Sequence, residues 1–262
     1  MEFMSGGELK DQLDEVEFFS EKRTQFYTAE ITLVVQFLHQ HGILHRDLKL
    51  ENVLVDNEGH CKIADFGLSK LGMLLYCKTD TQCGTLYSVA PEIVKNLLYD
   101  QGVDWWAVGV MIFQMITGHP PFDCDEEEDS DGDNALHNVG QKILNDEVDF
   151  PKHVSLPATS IVLRLLTKDP EQRLGSNSSD DTIQQHSFFR GIDWQALQEK
   201  RVKPPEVEKV PENTEVNTQS FDKVLKADKS PGIINQNLFR GFSFINYGAK
   251  PANSIQEQVI EV

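Results

Sequence analysis

The chain has 262 residues, 42 of them acidic and 24 basic, for a formal net charge of −18. That balance excludes general nucleic-acid binding, which needs basic groups to displace phosphate counterions. Charged residues at 25% and hydrophobic residues at 39% suit one sizeable core with an appended segment.

Cys61, Cys77, Cys83 and Cys124 form no C-x-x-C pair and have no histidine at zinc-ligand spacing. A reduced, intracellular protein is the simplest reading, and a cytoplasmic location is expected. No basic–apolar–small leader opens the sequence, and the most apolar run, Val108–Ile116, is too short to span a bilayer, so no transmembrane segment is expected.

In chain order, Met1–Met4 reads as the end of a strand, and Ser5-Gly6-Gly7-Glu8 has capping-box spacing for a short helix. Ser20 is placed to cap a second helix. Phe26, Ile31, Val34, Phe37 and Leu38 recur along it at helical spacing, and Gly42 is placed to stop it. Val53–Val55 and Cys61–Ile63 are β-prone, with Asn57-Glu58-Gly59 as the turn of a small hairpin. Thr79–Pro91 reads as loop. Val103–Thr117 is apolar almost all round and predicts a buried central helix, closed by Gly118 and Pro120-Pro121. Helices are expected over Leu156–Leu166 and Thr182–Phe189. The acidic run Asp123–Asp133 approaches a calcium loop at Glu127-x-Asp129-x-Asp131-Gly132. Its twelfth position is Asn138 rather than a bidentate glutamate, so a solvated loop is expected. Lys203–Asn217, with Pro204, Pro205 and Pro211, reads as a linker or surface-wrapping segment. Phe239, Phe242 and Phe244 beyond it form a separate aromatic cluster.

The chemistry is concentrated in three ordered motifs. His45-Arg46-Asp47-Leu48-Lys49-Leu50-Glu51-Asn52 fits H-R-D-x-x-x-x-N, Asp65-Phe66-Gly67 follows at the end of the hairpin, and Ala90-Pro91-Glu92 closes the next loop. Phosphoryl transfer needs positioning and neutralised charge more than covalent help. An aspartate must accept the proton of the incoming hydroxyl, which assigns Asp47. A cation should meet charge on the transferred group, which assigns Lys49. Magnesium needs hard oxygen ligands, which assigns Asn52 and Asp65, brought together by the hairpin between them.

Asp104-Trp105-Trp106-Ala107-Val108-Gly109, Arg173-Leu174-Gly175 and Phe239-Arg240-Gly241-Phe242-Ser243-Phe244 resemble the AGC serine/threonine kinases. Within them the chain is most similar to protein kinase C, especially the novel isoforms, with the protein-kinase-C-related kinases second. The resemblance runs from Met1 to about Asn246. It implies a mainly α, α+β protein-kinase-like fold: a helical C-terminal lobe with a small β-hairpin, the N-terminal β lobe absent. Residues 1–189 would be the hinge and large lobe of a kinase domain, and 190–262 the C-terminal tail.

The resemblance also implies roles. Met1 looks like the gatekeeper, and Glu2 and Met4 would offer hinge backbone groups to the adenine of ATP. Glu8 would bind ribose and Leu54 floor the adenine. Thr85 would bond near Asp47 and Lys49, Glu92 would pair with Arg173, Asp104 would hold the catalytic-loop backbone, and His45 would pack near Phe66. Thr81, Ser230 and Ser243 resemble phosphorylation sites, Thr81 as the target of an upstream kinase, its phosphate pairing with Arg46 and Lys70. Phe221 resembles the tail residue that covers adenine. The sequence departs from the family in carrying no Gly-x-Gly-x-x-Gly and no V-A-I-K lysine. Leu86, Tyr87 and Ser88 replace the usual proline, acidic residue and aromatic, Gln82 replaces an aromatic, and Glu206 replaces a phenylalanine. The expected function is ATP- and Mg2+-dependent phosphorylation of protein Ser/Thr hydroxyls, by a piece inactive on its own. The alternative is a non-catalytic lobe that binds substrates or regulators.

Overall fold

Burial in this chain is organised around one helix that has no polar face. A computed structural model describes residues 4–73, 77–81, 86–123, 132–176 and 181–205. Contacts divide the chain after Val210, and all described residues belong to the first unit. The central helix, α4, spans Gly102–Thr117, and every one of its residues is buried. Its apolar run leaves no stripe for water, so other elements must cover it on all sides. Earlier in the chain come α1 (Leu9–Asp14), α2 (Glu21–Gln40), the strands β1 (Val53–Val55) and β2 (Cys61–Ile63), and α3 (Pro91–Val94). Later come α5 (Gly132–Asn145), α6 (Leu156–Leu165), α7 (Asp181–Gln184) and α8 (Trp194–Gln198). Helices α2 and α6 pack on α4. Gly109 permits the second approach, since a Cβ there would lie 2.8 Å from Leu165 Cβ.

The helix ends follow local chemistry. Ser20 Oγ accepts from the Arg23 amide at the start of α2, and Gly42, at φ 68°, takes the left-handed turn beyond its end. Ser155 caps α6 in the same way, accepting from Ala158. Gly118 closes α4 at φ 85°, where an added Cβ would lie 2.2 Å from the Glu17 carbonyl oxygen. The hairpin pairs Val53 with Ile63 and Val55 with Cys61. Asp56 Oδ1 accepts from the Glu58 and His60 amides across its turn. Behind it, the buried Glu30 of α2 accepts from the Cys61 amide at 2.7 Å and lies 2.5 Å from His60 Nδ1. The hairpin is thereby fastened to the lobe by a charged side chain from a helix.

Several expectations need correction. Ser5 does not cap α1; the cap position is Glu8, without a side-chain hydrogen bond. The Ser5–Gly7 segment instead pairs with β1, Gly6 N–H donating to Val55 O at 3.0 Å and Val55 N–H to Gly7 O at 2.9 Å. On α2, Phe26, Ile31 and Leu38 are buried as expected, joined by Tyr27 and Val35, whereas Val34 is half-buried and Phe37 is 57% exposed. Leu86–Ser88 forms a 3-10 turn within the expected loop. The expected Thr182–Phe189 helix is α7 and a separate 3-10 turn at Ser187–Phe189, divided at His186. Asn138 lies inside α5, which removes the loop geometry a calcium site would require. Residues 124–131 lie outside the described part. Among the described residues no helix is long and apolar enough to cross a membrane, and no group of three or more His, Cys, Asp or Glu could hold a metal.

Candidate active site

The site begins with a buried carboxylate. Asp104, in the first turn of α4, accepts from the His45 and Arg46 amides at 2.9 Å each and lies 2.8 Å from His39 Nε2. Burial alone would raise its carboxyl; the His39 side chain and the two amides outweigh that and hold it below the ordinary carboxylate range. The backbone it grips is not relaxed, for Arg46 sits at φ 73°. A non-glycine residue there needs outside support, and Asp104 supplies it. His45 Nδ1 accepts from the Asp47 amide at 3.4 Å, so Nε2 carries the proton donated to Ala64 O at 3.2 Å. Its ring meets Phe66 edge-on, centroids 5.0 Å apart.

Asp47, Lys49 and Asn52 come together at the end of this loop. Lys49 Nζ is 3.1 Å from Asp47 Oδ2. Asn52 Nδ2 donates to Asp47 O at 2.8 Å and to Asp47 Oδ2 at 3.2 Å. Asn52 then leads into β1, and Ala64, after β2, donates its amide to Asn52 O at 2.8 Å. Asp65 is therefore delivered to the same end of the hairpin. It is exposed, at φ 57°, with Oδ1 accepting from the Gly67 amide at 3.1 Å. Leu54 and Glu8 face each other across an isolated bridge beside it. Partial burial, then the charges of Asp11 and Glu51, raise the Glu8 carboxyl, with Lys49 opposing them. Met4 is half-buried, its carbonyl accepting from Gly7 N–H at 3.2 Å.

The segment that follows is tied back to the catalytic loop. Arg46 Nη1 donates to Tyr99 Oη at 3.3 Å, and Tyr99 Oη donates to Thr81 O at 2.5 Å. Lys70 Nζ donates to Thr79 Oγ1. Thr81 itself is exposed. Met1, Glu2, Thr85, Phe221, Ser230 and Ser243 lie outside the described residues. Further on, Glu92 and Arg173 form a buried two-pronged pair at 2.6 and 2.8 Å, with Arg173 also donating to the Thr167 and Gly102 carbonyls. Two residues were missed in the sequence. His39 precedes the H-R-D motif by six positions and is linked to it only through Asp104. Glu51 is a variable position of the motif, and its partner, the hydroxyl of Tyr87 at 2.8 Å, is distant in sequence.

The H-R-D and D-F-G motifs thus meet at one end of the hairpin, held from behind by Asp104 of α4, while the glutamate of A-P-E is buried against Arg173. The family described as protein kinase domain matches this chain over residues 1–189. The chain belongs to the protein kinase family. It is 41% identical to rabbit (Oryctolagus cuniculus) protein kinase C epsilon type over 261 residues, covering 96% of this chain and 34% of the relative. It is 42% identical to a Drosophila melanogaster protein kinase C over 253 residues, 94% of this chain and 33% of the relative. With Danio rerio serine/threonine-protein kinase N2 it shares 41% identity over 256 residues, 94% of this chain and 25% of that protein. The chain spans about a third of the length of the protein kinase C relatives it matches. It is protein-kinase-C-like, and by family a serine/threonine kinase with the mainly helical architecture of the large lobe.

Proposed function

We propose that this cleft transfers the terminal phosphoryl group of ATP to a serine or threonine hydroxyl of a protein substrate. The observation that carries the reading is the contact of Asp47 with both Lys49 and Asn52, beside the strand end that bears Asp65. Asp47 accepts the hydroxyl proton as that oxygen forms a bond to the terminal phosphorus. The bond from phosphorus to the bridging oxygen breaks, ADP leaves with its electron pair, and the proton passes to solvent. Lys49 lies where its ammonium offsets charge on the transferred group.

Asn52 and Asp65 fit a magnesium ion. The Asn52 amide nitrogen is committed to Asp47, leaving Oδ1 as a hard donor, and Asp65 adds an exposed carboxylate. They would hold such an ion, which would supply positive charge against the phosphates. Glu2 and Met4 would meet adenine, Glu8 ribose, and Leu54 the underside of the base. Thr81, Ser230 and Ser243 would be modified by phosphorylation, Thr81 by an upstream kinase, in a cytoplasmic enzyme. Residues 1–189 would act as kinase domain and 190–262 as its tail.

The test is phosphate incorporation from Mg-ATP into serine peptides by wild type and Asp47→Asn. A polypeptide of these 262 residues alone is expected to turn over far below roughly one per second, because most of the catalysis comes from positioning and it holds no glycine-rich loop over the phosphates. Slow incorporation that vanishes in Asp47→Asn supports transfer. Incorporation undiminished by that change would sink it, and peptide binding without any Asp47-dependent incorporation would favour the binding-lobe alternative.

A further inference from the structure

Glu51 occupies a position from which an acid could greet a cationic substrate. It lies on the 3-10 turn between Lys49 and Asn52. Its charge reaches Glu8 on one side and Tyr87 on the other, and Asp47 and Asp123 act on Tyr87 as well. Glu51, paired with Tyr87, thus stands on the same turn as Asn52, next to the Lys49–Asp47 contact, where the proposed function brings a substrate hydroxyl.

Neither oxygen of Glu51 is on offer. Oε1 accepts from Tyr87 Oη at 2.8 Å, and Oε2 is buried, with no hydrogen bond to it among the described residues. Tyr87 is itself half-buried. Burial and the Glu51 carboxylate push its hydroxyl well above the ordinary phenol range, so it remains a donor at any working pH. The 3-10 turn that carries Tyr87 packs against α4 and α5, which fixes the donor in place.

We propose that Tyr87 is a specificity-determining residue: by hydrogen-bonding and covering Glu51, it withholds that carboxylate from basic residues of a peptide substrate. A guanidinium seeking Glu51 must first displace a charge-assisted hydrogen bond and gains only what remains.

The inference rests on the reading of the cleft as a peptide site, and its test needs no phosphate transfer. Fluorescent peptides carry one serine in a neutral background, with a single arginine placed at each flanking position in turn. Their affinities for wild type, Tyr87→Phe, Glu51→Gln and the double variant are measured by anisotropy. Tyr87→Phe keeps the ring and removes only the hydroxyl. It should tighten binding of at least one arginine peptide about tenfold, leave the arginine-free peptide unchanged, and lose the gain in the double variant. Glu51→Gln alone should leave the arginine preference as in wild type. A gain shared by the arginine-free peptide, no gain, or weaker arginine binding by Glu51→Gln would overturn the proposal. Failure of every form to bind any peptide would overturn it as well. Absence of Mg-ATP turnover would count against the kinase reading and leave this comparison standing.

Discussion

Asp104 and Asp65 are carboxylates of the same lobe and face opposite problems. Asp104 is 1% exposed and takes three donors, two of them backbone amides of the catalytic loop. Asp65 is exposed and takes one, from its own turn. The same division separates the buried Glu92–Arg173 pair from the partly exposed Lys49 beside Asp47. Charge behind the loop holds backbone and a buried partner; the Asp65 carboxylate in front of it stays exposed, as the proposed transfer requires. A buried ion pair contributes little net stability over an apolar pair, but halving it leaves a charge stranded.

The largest effect should come from halving such a pair. Arg173→Ala is expected to cost about 3–5 kcal/mol in urea unfolding, because Glu92 stays buried without its partner. The double change Arg173→Met, Glu92→Leu should cost clearly less. If the double variant is as unstable as the single one, the pair contributes through its own bonds and the comparison fails. Asp104→Asn should follow, at about 2–3 kcal/mol, since a carboxamide cannot accept from all three donors. Its folded carboxyl is held low, so its contribution is complete above the ordinary carboxylate range and is lost as pH falls through the lowered native value. The stability gap between wild type and Asp104→Asn, followed by denaturant titration, should therefore shrink in acid and hold steady near neutrality.

The front of the loop should behave otherwise. Asp47→Asn is expected to cost less in unfolding than Asp104→Asn, about 1–2 kcal/mol. Asp47 is itself buried, but where Asp104 braces backbone amides of another element, the contacts of Asp47 include a lysine 22% exposed and a carboxamide that can re-pair. A loss as large as that of Asp104→Asn would erase the distinction between brace and tool. Smallest of all, Leu156→Gln should shift stability by no more than about 0.5 kcal/mol in the same assay, because Leu156 is 85% exposed.

What could be read in the sequence was whatever is local. The H-R-D, D-F-G and A-P-E motifs, the hairpin with its Gly59 turn, the Ser20 cap position and the apolar run of α4 each carry their signal within a few residues. What could not be read depends on distant partners. Nothing near Glu30 tells that it holds His60 and Cys61, and nothing near His39 points to Asp104. Ser5 has the spacing of a cap but lies beside a strand that takes its neighbours' backbone groups. That α2 buries Val35 and leaves Phe37 exposed is set by what packs on it, and apolar spacing alone is blind to that. Tyr87 stood out as a departure from the family, yet its partner lies on another turn of the fold.

The segment Asp65–Ser69 is strung between two posts. At one end Ala64 donates to Asn52; at the other, Leu44 and Lys70 exchange hydrogen bonds in both directions, at 2.9 and 2.8 Å. Both posts belong to the stretch that carries Asp47, so the span between them is set by that stretch. Five residues held at fixed ends can turn like a crankshaft but cannot slide, lengthen or carry a displacement outward. Any exchange of place between Asp65 and Phe66 is thereby a rotation of their own torsions, starting from a left-handed Asp65, and it gives up the edge contact of Phe66 with His45.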